Sequence, residues 1–409
     1  MYVDQVTTGT VPDDEELERF GYRQQFVRSF RHFESFAVAF SFISITTGIF
    51  TTYGFALAAG GTRAIWTWPI VIAGQALVAL VYGALSVRVP LSGYSYQWAS
   101  RLANVSVGWW FGWMSFAFLT IVTVSVDYAL VQVAFQPLIG ETYSPTSAAL
   151  ETLVVLALQA ALIIASTRMT TRVNNTAVAT EIIGIAGLTV LLLIVAAVRS
   201  MGHWSNLGAT GAVPHAGYYN WLGPFMLATL LGAYTIVGFE SASNLAEETR
   251  EPHKVIPRAM LRAVLLSGIV GFAFLLVLAF ATNKAAYASG AIALVLRTHT
   301  AALATLFTAS TIMPALLYAG TVLLYVFTSR RRGAGESQGT RLRPFGKYEL
   351  PIVAGAVIWL TYELIILIGP AAFRDAQYYV LGSLGVGLVF YLVQLVTEPR
   401  AMREEPGRE

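Results

Sequence analysis

Residues 234–262 read YTIVGFESASNLAEETREPHKVIPRAMLR, and this stretch decides how the chain is built. It opens inside an apolar run, interrupts it at Gly238, sets Glu240 within the same run and ends in a basic segment. A glycine and a carboxylate at that depth in a membrane helix are costly against lipid. They are tolerated where the helix lines a cavity.

The composition makes a membrane setting the expectation. Of 409 residues 56% are hydrophobic and only 12% charged, about half the charged share of a soluble domain. Repeated apolar runs of about 20 residues then read as membrane spans. The chain has no cysteine, which excludes disulfides, zinc–thiolate sites and thiol catalysis. His32, His203, His215, His253 and His299 are scattered, with no pair at metal-ligand spacing. A net charge of +3 leaves no nucleic-acid footprint. There is no Gly-x-Ser-x-Gly elbow, phosphate loop or dinucleotide fingerprint, so neither an enzyme nor a bound cofactor is expected. Any pumping must then draw on an ion gradient. Lysine occurs only at 254, 284 and 347, a bias toward arginine that points to a GC-rich bacterial genome.

Hydropathy predicts an all-α integral membrane protein of about ten spans. They lie near 33–58, 65–87, 107–136, 147–166, 177–198, 222–244, 261–281, 301–328, 351–370 and 378–397. The division is a cytosolic segment 1–32, one transmembrane domain 33–397 and a cytosolic tail 398–409. The polar first thirty residues lack a cleavage site, so the first span is expected to act as an uncleaved signal anchor. Of the 26 Lys and Arg, all but Arg63, Arg199, Lys284, Arg297 and Arg374 fall on the side of the N-terminus. That asymmetry predicts both termini in the cytoplasm of a bacterial cell.

Two spans share an unusual middle. The first reads Ser44-Ile45-Thr46-Thr47-Gly48-Ile49-Phe50 and the sixth Tyr234-Thr235-Ile236-Val237-Gly238-Phe239-Glu240. Hydroxyls, β-branched residues and a glycine make a poor continuous helix. A half-helix starting near Gly48 aims its amides at an anion. Carbonyls near Ser44 and from Tyr234 to Val237 face an ammonium group, so a zwitterionic amino acid suits both ends. Glycines that merely let helices pack closely are the alternative. Two matching breaks, five spans apart, favour a transporter of two inverted halves.

Gly232–Arg258, with GFESASNLAEETREP and the later IPRA, resembles the sixth-helix signature of the amino acid–polyamine–organocation permeases. GYRQQFVRSFRHFESFAVAFSFISITTGIF (residues 21–50) and SGYSYQWASRLA (92–103) resemble its amino acid/choline branch, which includes GABA permeases. The resemblance implies that Thr47 and Gly48 hold a substrate carboxylate and that the carbonyls of Ser44, Tyr234 and Val237 receive an amino group. Thr235 and Gly238, in the same break, complete the expected substrate-binding set. It also implies an aromatic gate at Tyr234 and gating or proton coupling at Glu240. Thr46 stands where the family has a smaller residue, which leaves a carboxylate-free amine open as substrate. The family has twelve spans. Here FTASTIMPALLYAGTVLLYVFTSRRR (307–332) resembles its tenth helix and RPFGKYELPIVAGAVIWL (343–360) the run into its eleventh. The eighth and ninth are thus expected to be absent, and with them part of a sodium site, which makes protons the better coupling ion.

Among the remaining polar residues, Asp127 in the third span, with Tyr128 and Gln132, either pairs with a substrate ammonium or reaches the outer interface. Glu247 and Glu248, with Arg250, Lys254 and Arg258, form either an inner gate or a solvated helix end. Glu363, Gln75 and Gln159 read as structural, and Trp66, Trp68, Trp109, Trp110 and Trp113 as interfacial anchors. The expected function is proton-coupled import of a small amino acid or amine. The alternatives are a non-transporting truncated permease, a ligand sensor, or one subunit of an obligate oligomer.

Overall fold

The computed structural model describes residues 28, 30–200, 202–209, 223–282, 300–331, 345–400 and 402. Most of the N-terminal segment, the loop carrying Lys284 and Arg297, and the linker 332–344 lie outside them. Regular structure among the described residues is helical, apart from one isolated bridge between Phe30 and Thr249. Among the described residues ten helices are long and apolar enough to cross a membrane. In chain order, spans 1 to 10 are His32–Gly60, Thr62–Arg88, Val105–Ile139, Pro145–Ala165, Met169–Val198, Phe225–Glu248, Pro252–Phe280, Thr305–Thr328, Gly346–Ile368 and Arg374–Thr397.

Helix is forced on these segments because lipid offers no partner to an open backbone. Their ends are written in polar residues. Asn104 Oδ1 accepts the Val107 N–H at 2.9 Å to start span 3, and Ser166 Oγ accepts that of Met169 at 3.2 Å. The helix of span 5 therefore begins at Thr167 rather than near 177, and that of span 7 at Pro252 rather than near 261. Apolarity marks the buried length of a helix and misses its polar first turns.

Burial sorts the spans into two layers. In spans 6, 8 and 2 the most apolar stretch is 78%, 67% and 61% buried, and these form the centre. In spans 4, 5 and 10 the share is 11%, and side chains such as Leu153, Ile183 and Val389 face outward. A helix apolar all round and exposed all round is one that lipid covers.

Two central contacts fix the frame around the site. Gln75 Nε2 of span 2 donates to Glu363 Oε1 of span 9 at 3.3 Å, and both residues are buried. Trp68 corrects the expectation of an interfacial anchor: it is fully buried, and its indole donates to Gly268 O at 2.9 Å. Trp109 and Trp113 instead hold span 10 to span 3, through Gln394 Oε1 at 2.6 Å and Ser383 O at 3.0 Å.

Candidate functional site

Span 1 is broken at Ser44. The helix His32–Ile43 ends there, Ser44 adopts the left-handed region (φ 34°, ψ 83°), and helix resumes over Ile45–Gly60. The Ser44 N–H closes the first half onto Phe40 O at 3.2 Å, and its carbonyl takes the first bond of the second half from Gly48 N at 3.0 Å. The second half thus starts at Ile45, ahead of the expected start near Gly48, whose amide is already used. Its N-terminus meets a carboxylate of the chain itself. Glu181 Oε1 of span 5 accepts from Thr46 N at 3.0 Å and Thr46 Oγ1 at 2.8 Å, with Ser44 Oγ at 3.2 Å. A negative charge at a helix start is favourable through the amide dipoles. Ser44 Oγ also lies 2.8 Å from Thr47 Oγ1, within hydrogen-bond distance.

Span 6 is broken over Ile236–Gly238, between the helix Leu230–Thr235 and the 3-10 helix Phe239–Glu248. Gly238 has φ +83°, and a Cβ there would sit 1.7 Å from Phe42 Cδ1 of span 1. No other residue meets both demands. The Gly238 N–H donates to Tyr318 Oη of span 8 at 3.0 Å, and Tyr318 donates in turn to Glu240 Oε2 at 2.7 Å. One buried hydroxyl therefore satisfies the freed backbone amide and the buried carboxylate together.

The two breaks touch. A Cβ on Gly48 would lie 2.2 Å from Thr235 Oγ1 and 2.4 Å from its Cγ2, so Gly48 serves close approach within a helix. Thr235 spends its own hydroxyl on Leu231 O at 2.6 Å. The Tyr234 ring packs on Phe307 at 4.7 Å between centroids, and its hydroxyl lies 3.4 Å from Ser125 Oγ. Val237 is buried in the same core. Ser44, Thr47, Gly48, Tyr234, Thr235, Val237, Gly238 and Glu240 thus all belong to the two touching breaks.

A model of the amino acid permease family matches residues 41–405. The chain belongs to that family. It is 25% identical over 283 residues to amino-acid permease BAT1 of Arabidopsis thaliana, covering 65% of this permease and 54% of that protein. It is 26% identical to the BAT1 homolog of Oryza sativa, covering 66% and 55%, and 27% identical to amino-acid permease 2 of Neurospora crassa, covering 66% and 52%. The permease spans about half the length of the curated relatives it matches.

The other anticipated residues fall away from the breaks. Asp127 faces span 4, where Gln159 Nε2 donates to its Oδ1 at 2.9 Å. Glu247 Oε1 accepts from Ser92 N at 3.1 Å, beside Asn244 Oδ1 with Gly93 N at 3.3 Å. Glu248 acts through its backbone, accepting from Phe30 N at 3.0 Å, while Arg250 N donates to Phe30 O at the same distance. Lys254 pairs with Glu251 at 2.8 Å, which holds that exposed carboxyl below its usual range. This end of span 6 is therefore tied to the chain entering span 1 and to the loop after span 2.

Two further residues serve the breaks. Glu181 is a carboxylate inside the apolar run AVATEIIGIAGL, a signal as plain as Glu240. Tyr318 lies among small residues in ASTIMPALLYAG, where nothing marks it.

Proposed function

We propose that this permease is a secondary active transporter that imports a small amino acid or amine across the bacterial cytoplasmic membrane by alternating access, coupled to protons. The observation that carries this reading is the direct contact of two interrupted spans, Gly48 against Thr235 and Phe42 against Gly238, above the buried Glu240–Tyr318 pair. A solute entering between the breaks exchanges contacts of Ser44, Thr47, Tyr234 and Val237 for its own. It shifts the equilibrium between outward and inward forms only by its difference in affinity for them. Glu240 takes and releases the coupling proton. Its bond to Tyr318, which also holds the Gly238 amide, passes the change to the break. Glu247 and the Phe30–Thr249 bridge close the N-terminal face.

Glu181 divides the two substrate classes. An amino acid places its carboxylate at the Thr46 amide and displaces Glu181, whereas an amine leaves that bond intact. The test is uptake of radiolabelled GABA, several amino acids, choline and putrescine into proteoliposomes with an imposed proton gradient. Gradient-driven uptake of one solute, lost in Gly48→Leu and uncoupled in Glu240→Gln, is the expected result.

The ten spans favour a second reading. The family resemblance implies twelve, and the stretch after span 7 leads to a helix resembling the family's tenth. A non-transporting ligand sensor, or one subunit of an obligate oligomer, keeps the breaks and lacks part of the scaffold. Saturable binding without uptake, still sensitive to Gly48→Leu, selects this reading. Neither binding nor uptake leaves a truncated, inactive permease.

A further inference from the structure

Spans 3 and 4 share a polar seam that the proposed transport site does not use. On span 3 it consists of Asp127, Gln132 and Gln136, which are 3%, 5% and 1% exposed. The turn Val131–Phe135 is π-helical, and this wider turn brings Gln132 back toward the face that carries Asp127. Span 4 answers with Gln159 on Asp127 Oδ1 at 2.9 Å and Ser147 Oγ on Gln136 Nε2 at 3.1 Å. Asp127 Oδ2, both ends of the Gln132 carboxamide and Gln136 Oε1 are buried with no hydrogen-bond partner among the described residues. Unpartnered polar atoms are expensive in a membrane interior, and here they are grouped between the same two helices instead of being scattered.

The seam is separate from the two breaks. Ser125 reaches Tyr234, and Asp127, two residues further on, lies about 200° around span 3 and faces span 4. It runs toward the loop 140–144, where Glu141 is exposed. No group of three or more metal-ligating side chains exists among the described residues, and hard cations take about six oxygens. A proton needs a single one.

We propose that the seam between spans 3 and 4 is a file of water that carries a proton to Asp127 from the face bearing loop 140–144. Water bridges the Gln136 and Gln132 carboxamides, and a proton passed along it forms an O–H bond at Oδ2, to be returned by the same route. Charged groups on the packed elements are few. Glu151 lies about two turns toward the loop on span 4, beside Glu141 of the loop; the Tyr128 and Tyr143 hydroxyls lie 3.2 Å apart; Arg374 and Asp375 start span 10; Arg101 stands on the helix Tyr94–Leu102, at the opposite end of span 3. Spans 1 and 8 contribute none along Ile45–Gly60 and Thr305–Thr328. Gln159 is the one hydrogen-bond partner of Asp127 among the described residues.

Infrared difference spectroscopy of the reconstituted protein tests this without any need for transport, so it stands apart from the proposed function. Acid jumps applied from one side should raise a carboxylic-acid band that Asp127→Asn lacks. That band should exchange into heavy water at least tenfold faster in the intact chain than in Gln132→Leu/Gln136→Leu, or in the milder Gln132→Met. A band unchanged in Asp127→Asn, or equal exchange in the folded glutamine variants, overturns the proposal.

Discussion

The break in span 6 and the break in span 1 achieve the same interruption by different means. Span 6 uses a glycine at positive φ, sealed by Phe42 and bonded to a fully buried tyrosine of the central span 8. Span 1 uses a half-buried serine at positive φ, held by a carboxylate of span 5, whose other faces look outward. A non-glycine residue in that region costs about 1 kcal/mol or more. The first break is therefore the stiffer and the second the more yielding. Under the proposed alternating access, span 6 is the reference and span 1 the moving part.

The largest expected effect comes from spoiling the stiff break. Gly238→Ala meets both the positive φ and the Phe42 ring, strain of about 1 kcal/mol and overpacking of about 1–3 kcal/mol. Loss of folded protein in a thermal melt monitored by size exclusion checks it. Near-native stability would mean that the break is not rigid. Tyr318→Phe comes next, because it strips a partner from both the Gly238 amide and Glu240. The two groups are adjacent and share that one hydroxyl, so their joint cost, read in the same melt, is about 1–3 kcal/mol.

The contact between the breaks is tested by coupling. Gly48→Ala should destabilise by about 1–3 kcal/mol. Thr235→Ala, which removes the two nearest atoms, should recover much of that in the double variant. Additive effects would place the two residues apart. Glu181→Gln should act on selectivity more than on stability, tightening binding of amino acids while leaving amines unchanged. Equal change for both classes would sever Glu181 from the substrate carboxylate. Ser44→Gly is the smallest: relief of about 1 kcal/mol of backbone strain is offset by loss of the hydroxyl contacts to Thr47 and Glu181. A melt within about 1 kcal/mol of the parent is expected.

The same contrast explains what was legible in the sequence. The ten spans follow from apolar run length, which sequence displays directly. Gly238 could be read to the residue because positive φ and glycine go together. Ser44 could not, because nothing in SITTG distinguishes a left-handed serine from a helical one, and Gly48 drew the break to itself. Glu181 and Tyr318 act on residues far away in sequence, 135 and 78 positions from Thr46 and Glu240. Their roles arise only when span 5 and span 8 pack. Trp68 shows the converse error, since a tryptophan near a span end reads as an anchor until Gly268 is seen beneath it.

In the proposed function a solute sits between the breaks. A cysteine-free chain allows one thiol to report on it, and Thr47→Cys places that thiol in the half-buried break. The rate of its modification in membranes should fall several-fold with at least one amino acid or amine of the uptake panel, while Gln394→Cys on span 10 is unaffected. Modification of Thr47→Cys at the same rate with every panel member, in protein that remains folded, would mean that no solute of the panel sits between the breaks.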